Sequence, residues 1–129
     1  MNRRALFRVI SALPILVPAT ALATRPSPPV PVLLQRSALA GFPYHAGPGV
    51  WSRLRPGDPL RLVREPENPH DRRAVAVYWR GCKLGYLPRV ENAAVAQMLD
   101  RQLGLTATIE RLDDSDNPWK RVRLSVALA

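Results

Sequence analysis

Fourteen prolines in 129 residues set the tightest limit on what this chain can fold into. Each proline removes a backbone donor and fixes its own φ at about −65°, so it breaks helix interiors and central strands alike. Together with seven glycines, they argue against an all-helical bundle and for a loop-rich, strand-containing fold. The length allows one domain at most. Apolar residues make up 47% of the chain, which excludes a wholly disordered basic tail. The single cysteine excludes an internal disulfide and a four-thiolate zinc site. No apolar run reaches about 18 residues, which disfavours a conventional membrane span.

The first segment reads as an export signal. Residues 1–8, MNRRALFR, form a short basic head, and residues 9–23, VISALPILVPATALA, are apolar and uncharged. The stretch closes on Ala21-Leu22-Ala23, with small residues at the two positions a signal peptidase inspects. Arg3-Arg4 followed by Ala5, Leu6 and Phe7 also matches a twin-arginine signal, so both the general and the twin-arginine routes stay open. The other reading is an uncleaved anchor, which Pro14, Pro18 and the short apolar run disfavour. Cleavage after Ala23 predicts a periplasmic protein with no membrane span. If Met1 is not the true start, the protein is cytoplasmic. The whole chain carries a formal charge of +9. Arg3, Arg4 and Arg8 leave with the signal, so 16 basic residues remain against 10 acidic ones. That excess favours an anionic partner. In an oxidising compartment the lone Cys82 is expected to be buried or held in a tight turn.

Residues 24–31, TRPSPPVP, form a stiff, extended linker. From residue 32 onward the pattern is mainly strands. They are expected at 32–39, 59–64, 74–79, 82–87, 106–112 and 121–128. Leu60 and Leu62 share one face of the second strand. Val75, Val77 and Trp79 share one face of the third, and Val122, Leu124, Val126 and Leu128 share one face of the last. Arg80-Gly81 makes a two-residue hairpin turn. Residues 50–54 suggest one helical turn. Residues 90–103 read as the main helix, with Val95, Met98, Leu99 and Leu103 toward the core and Gly104 at its C-terminal cap. About six short strands with one main α-helix predict a mainly β, small OB-like barrel.

The informative stretch is 57–92, GDPLRLVREPENPHDRRAVAVYWRGCKLGYLPRVEN. Gly57-Asp58, LVREPENPHD at 62–71, Ala74-Val75-Ala76-Val77, Gly85-Tyr86-Leu87-Pro88-Arg89 and Asn92 closely resemble the HIRAN domain. The segment 41–47 is similar to that family's aromatic turn, and the resemblance covers about residues 33–128, within a domain set at 32–129. It implies a modified OB-like barrel that binds single-stranded DNA, in at least one member by gripping a free 3′ end. Carried over by position, it implies a pocket of Tyr44, Asn68, His70, Asp71 and Tyr86. The chain departs from the best-known member in three places. His70 replaces a tyrosine, Tyr86 replaces a histidine, and Pro43 stands where an arginine is expected.

The same residues can be argued without the family. Tyr44, Tyr86 and His70 offer flat rings on which bases stack, at about 1–3 kcal/mol per base. An ionised Asp71 accepts a hydrogen bond from a 3′-hydroxyl and repels a 3′-phosphate. Arg64, Arg72, Arg73, Lys83 and Arg89 stand close in sequence and offer charge to a phosphodiester backbone. Each has a plainer reading: Asp71 closing a turn, the tyrosines packing the barrel, Arg72-Arg73 a solvated pair. His45, His70, Cys82, Asp58 and Asp71 do not recur at zinc spacing, so no metal or other cofactor is expected. No nucleophile elbow or phosphate-binding glycine loop is present, so the chain reads as a binding protein and not an enzyme. Zinc and acid-anhydride hydrolase chemistry associated with the family belongs to fused finger and ATPase domains, whose motifs this sequence does not contain. The expected partner is single-stranded DNA or another polyanion. The export signal motivates an alternative: a module of the same fold that binds a different polyanion or a protein partner.

Overall fold

The computed structural model describes residues 30–129. The signal segment 1–23 and nearly all of the linker 24–31 lie outside the described residues. Six strands form one antiparallel sheet in the order β1-β6-β5-β2-β3-β4. These are β1 Val32–Ala38, β2 Pro59–Glu65, β3 Ala74–Trp79, β4 Cys82–Tyr86, β5 Leu105–Leu112 and β6 Val122–Leu128. All six fall within a residue or so of the expected positions, because alternation and turn residues are local signals.

β2 ties the two halves of the sheet together. Pro59 and Leu60 pair with β5, while residues 61–65 pair with β3. A strand shared in this way curls the sheet toward a barrel. The barrel is OB-like but does not close as a continuous ladder. The β1 and β4 edges meet only through one isolated bridge, Ala40 to Tyr86, with N–H···O distances of 2.8 and 2.9 Å. Gly85 makes that approach feasible, because a Cβ there would overlap the Ala40 carbonyl oxygen. The β3–β4 hairpin turns on Arg80 (φ 47°) and Gly81 (φ 81°), the left-handed pair that matches the strand twist. Cys82 follows that turn directly and is half-buried.

Val75, Val77, Trp79, Leu84, Leu124 and Val126 are fully buried and form the heart of the core with Phe42 and Leu39. Ala74 and Ala76, on the other face of β3, are buried too. The main helix, α2 Ala93–Asp100, packs against β2 and β3 and buries Val95 and Ala96.

Two local expectations differ from the structure. The main helix is shorter than residues 90–103. Its start is a separate 3-10 turn at Arg89–Glu91, because Pro88 fixes the chain before it. The helix ends on Gln102 in the left-handed region (φ 61°), and the Leu103 N–H reaches back to the Met98 carbonyl at 3.0 Å. Gly104 therefore follows the cap instead of forming it, and Leu103, past the end, is exposed. The helical turn expected at residues 50–54 is present as a 3-10 turn at Trp51–Arg53, and a short helix that the sequence reading did not anticipate, α1 Gly47–Val50, leads into it.

Candidate functional site

The loop from β2 to β3 is built by its own side chains. Asn68 Oδ1 accepts from the His70 N–H at 2.8 Å, and Asp71 Oδ1 accepts from the Arg73 N–H at 2.9 Å. These are Asx-type turns, which proline at 69 permits because it needs no partner for a backbone N–H. Two further contacts fix the loop to the barrel. The Arg64 guanidinium donates to the carbonyls of Ala74 (2.8 Å) and Arg72 (3.0 Å) and to the Asp100 carboxylate on α2 (2.8 Å). The fully buried Asn92 donates from Nδ2 to Asp71 Oδ2 at 2.7 Å, while its Oδ1 finds no partner.

Beside this loop, Glu65 gathers three donors. Its Oε2 accepts from Lys83 Nζ at 2.8 Å. Its Oε1 accepts from the Tyr86 hydroxyl at 2.8 Å and from Asn68 Nδ2 at 3.1 Å. Lys83 also donates to the Tyr86 hydroxyl at 3.0 Å. The network locks Asn68 and the Tyr86 ring in place, and the half-buried ion pair at its centre is surrounded by hydrogen bonds, as such a pair requires. Burial pushes the Glu65 carboxyl up, but Lys83, Tyr86 and Asn68 outweigh it and hold it below the usual range. The hydrogen bonds from Lys83 to Glu65 and Tyr86 raise the Lys83 ammonium above its ordinary value.

Between the loop and β4 lies a cleft of about 380 Å³, lined by Ala40, His45, Asn68, His70, Asp71, Ala74, Tyr86, Leu87 and Arg89. Five of the residues singled out from the sequence meet here: Asn68, His70, Asp71, Tyr86 and Arg89. The Arg89 guanidinium donates to the His70 carbonyl at the cleft wall. Arg72 and Arg73 are exposed on the same loop, with no side-chain partner among the described residues. Burial would raise the Asp71 carboxyl. The Arg73 N–H, the Asn92 amide and the charges of Arg89 and Arg73 prevail and hold it below its ordinary value, so it is ionised at neutral pH.

The remaining residues are placed otherwise. Tyr44 does not line the cleft. It sits on the neighbouring 3-10 turn Phe42–Tyr44 and is 84% exposed. Lys83 and Arg64 are committed to Glu65 and to the loop brace. His45 takes a wall position that sequence reasoning did not assign to the pocket. Its ring meets the Tyr86 ring edge-on, with centroids 5.5 Å apart. Burial and the nearby Lys83 lower its pKa from 6.5, so it is neutral at pH 7. Glu65 and Asn92 also escaped notice as site residues. Both stood within the recognised motif, but the role of Glu65 carries no local signal, because Lys83 and Tyr86 reach it only through strand pairing.

The cleft lining thus offers an ionised hydrogen-bond acceptor in Asp71, the aromatic ring of Tyr86, the imidazoles of His45 and His70, and Arg89, with Arg72 and Arg73 exposed on the same loop. That set is chemically suited to a group with a hydroxyl, a flat ring and a nearby negative charge.

Comparison with known proteins agrees with this architecture. A protein from Lactobacillus plantarum, known from its crystal structure, superposes with a TM-score of 0.67 at 26% identity, over 77% of this chain and 95% of that one. The HIRAN domain of human HLTF superposes with a TM-score of 0.60 at 21% identity, over 76% of this chain and 78% of that one. No curated protein sequence matches the chain. The HIRAN domain family profile matches residues 32–129, the whole of the six-stranded barrel with its helix, and the chain therefore belongs to the HIRAN domain family.

Proposed function

We propose that this protein binds single-stranded nucleic acid and receives a strand end, with its free 3′-hydroxyl, in the Asp71 cleft. Membership of the HIRAN family supports a nucleic-acid-binding role in general. The observation that carries the finer reading is the Asp71 carboxylate, pinned by Asn92 and the Arg73 N–H while it faces the cleft. Each carboxylate oxygen accepts one protein hydrogen bond and keeps a lone pair free. A terminal hydroxyl donates to that lone pair. A terminal phosphate, doubly acceptor and anionic, is repelled. His70, His45 and Tyr86 supply faces and edges for the last base, and Arg72, Arg73 and Arg89 supply charge for its phosphate. Pro43 offers no charge on the aromatic turn, so the rim arginines carry that part alone.

Fluorescence anisotropy of the purified protein tests the reading. The probes are single-stranded DNAs ending in a 3′-hydroxyl or a 3′-phosphate, with blunt duplex and heparin as comparisons, each at two salt concentrations. The expected result is a preference for the 3′-hydroxyl that survives higher salt and vanishes in Asp71→Asn. Equal binding to every polyanion, lost together as salt rises, means that the basic surface alone is binding and refutes end recognition.

The basic head and apolar stretch of residues 1–23 favour an exported protein. In that setting the ligand is extracellular DNA, another polyanion or a protein partner. Cell fractionation checks this, and purely cytoplasmic protein refutes it.

A further inference from the structure

A second groove lies beside the 3-10 turn Pro118–Lys120. It is about 500 Å³ and is lined by Arg111, Asp113, Trp119, Lys120, Val122 and Arg123. Arg111 on β5 and Arg123 on β6 are direct register partners. Like charges placed opposite each other on paired strands repel and destabilise the sheet. A register shift between Ile109 and Arg111 brings the two arginines opposite each other, and such bulges commonly re-aim side chains near functional sites.

No acid among the described residues forms an ion pair with either arginine, or with Lys120. The acids that flank them in sequence are engaged elsewhere, Glu110 with Arg36 at 2.7 Å and Asp114 with Arg121 at 3.4 Å. Only Asp113 lies in the groove with the three cations. The wall is the Pro118–Lys120 turn, which is held by Asn117 Oδ1 on the Trp119 N–H and leaves the indole 54% exposed. That turn packs against the Phe42–Tyr44 turn. The Tyr44 turn in its turn leads directly into His45 on the wall of the first cleft. The groove and the cleft are therefore linked through these two adjacent turns.

We infer that the Arg111–Lys120–Arg123 groove is an anion site that takes the phosphates of the same strand, several nucleotides in from the end held at Asp71. The inference rests on the cleft being a nucleic-acid site, and it explains why three cations with no ion-pair partner among the described residues outnumber the one acid, Asp113, in the groove. Two arginines on rigid strands form a fixed fork for successive phosphate oxygens. The cleft recognises the end, and the groove adds length-dependent affinity.

The test measures binding of thymidine strands of about 4 and about 16 nucleotides, spanning the site sizes of single OB folds. The proteins are the full chain, its Arg111→Gln/Arg123→Gln variant and Asp71→Ala. The long strand is expected to bind the unaltered protein roughly tenfold tighter than the short one, and the double variant is expected to lose that gain while binding the short strand as before. Its salt slope on the long strand should fall by about 1.4, near 0.7 for each phosphate contact on single strands. The melting temperature of the double variant should be no lower, because a repulsion has been removed. A length gain that persists in the double variant, or its absence from the unaltered protein, overturns the groove. Unchanged short-strand binding in Asp71→Ala overturns the cleft reading instead, so the two failures are separable.

Discussion

Replacing Gly85 by alanine strikes the isolated β-bridge that joins the two open edges of the barrel. The added Cβ would overlap the Ala40 carbonyl oxygen and crowd Leu39 Cγ at 3.3 Å. Ala40 exchanges two backbone hydrogen bonds with Tyr86, at 2.8 and 2.9 Å. Losing both costs about 1–3 kcal/mol, at a net 0.5–1.5 kcal/mol each. Overpacking a backbone contact adds about 1–3 kcal/mol. The expected destabilisation is therefore about 2–6 kcal/mol. Gly49→Ala is the control. It lies in α1, a Cβ there meets nothing within 4 Å, and alanine in a helix gains up to about 1 kcal/mol over glycine. Urea denaturation of both variants reads the difference as a shift of midpoint at constant slope. Ala40 and Tyr86 both line the cleft, so the Gly85 variant should also bind more weakly under conditions where it is still folded. Midpoints that coincide for the two variants would refute the claim that the bridge holds the edges together.

Other expectations follow from the same contacts. Asn92→Ala removes the amide that donates to Asp71; the Asp71 pKa should rise toward its ordinary value, read by NMR titration of the carboxyl carbon, and stability should fall by about 1–2 kcal/mol, softened because the Asn92 Oδ1 is already unpartnered. Gln102→Gly places glycine at the left-handed helix end and should stabilise by about 1 kcal/mol, measured by thermal unfolding. The folded-state pKa values of His45, Glu65 and Asp71 are all lowered. Their contributions are complete above the unfolded values and are lost as pH falls through the folded ones, so stability should decline from about pH 6.5 downward. Lys83 is raised, so its contribution is complete below its unfolded value and is lost only as pH rises beyond about 10.5. Unfolding midpoints measured across this range check both limbs.

Much of the candidate site was legible because it is local. Asn68, His70 and Asp71 lie within four residues, and Asx turns are a property of such short stretches. Tyr86 and Arg89 follow the β3–β4 hairpin, whose register Arg80-Gly81 sets. The residues that were missed act across the fold. Glu65 meets Lys83 and Tyr86 only after β2, β3 and β4 pair, and Asn92 reaches Asp71 only once α2 is seated. Tyr44 was expected inside the pocket, yet the turn at Phe42–Tyr44 buries Phe42 and presents Tyr44 to solvent, leaving His45 to line the wall.

The sequence by itself determined the six strands, the hairpin turn, the helix and the family, because periodicity, turn chemistry and short motifs depend on neighbours along the chain. Only the tertiary structure decided how the sheet closes and which charges are left over. Arg64 and Lys83 are consumed by internal partners, whereas Arg111 and Arg123 face each other with no ion-pair partner among the described residues. A basic residue looks the same in sequence whether or not an acid waits across the sheet. Strand pairing and its bulges fix that, by bringing together residues that lie far apart along the chain.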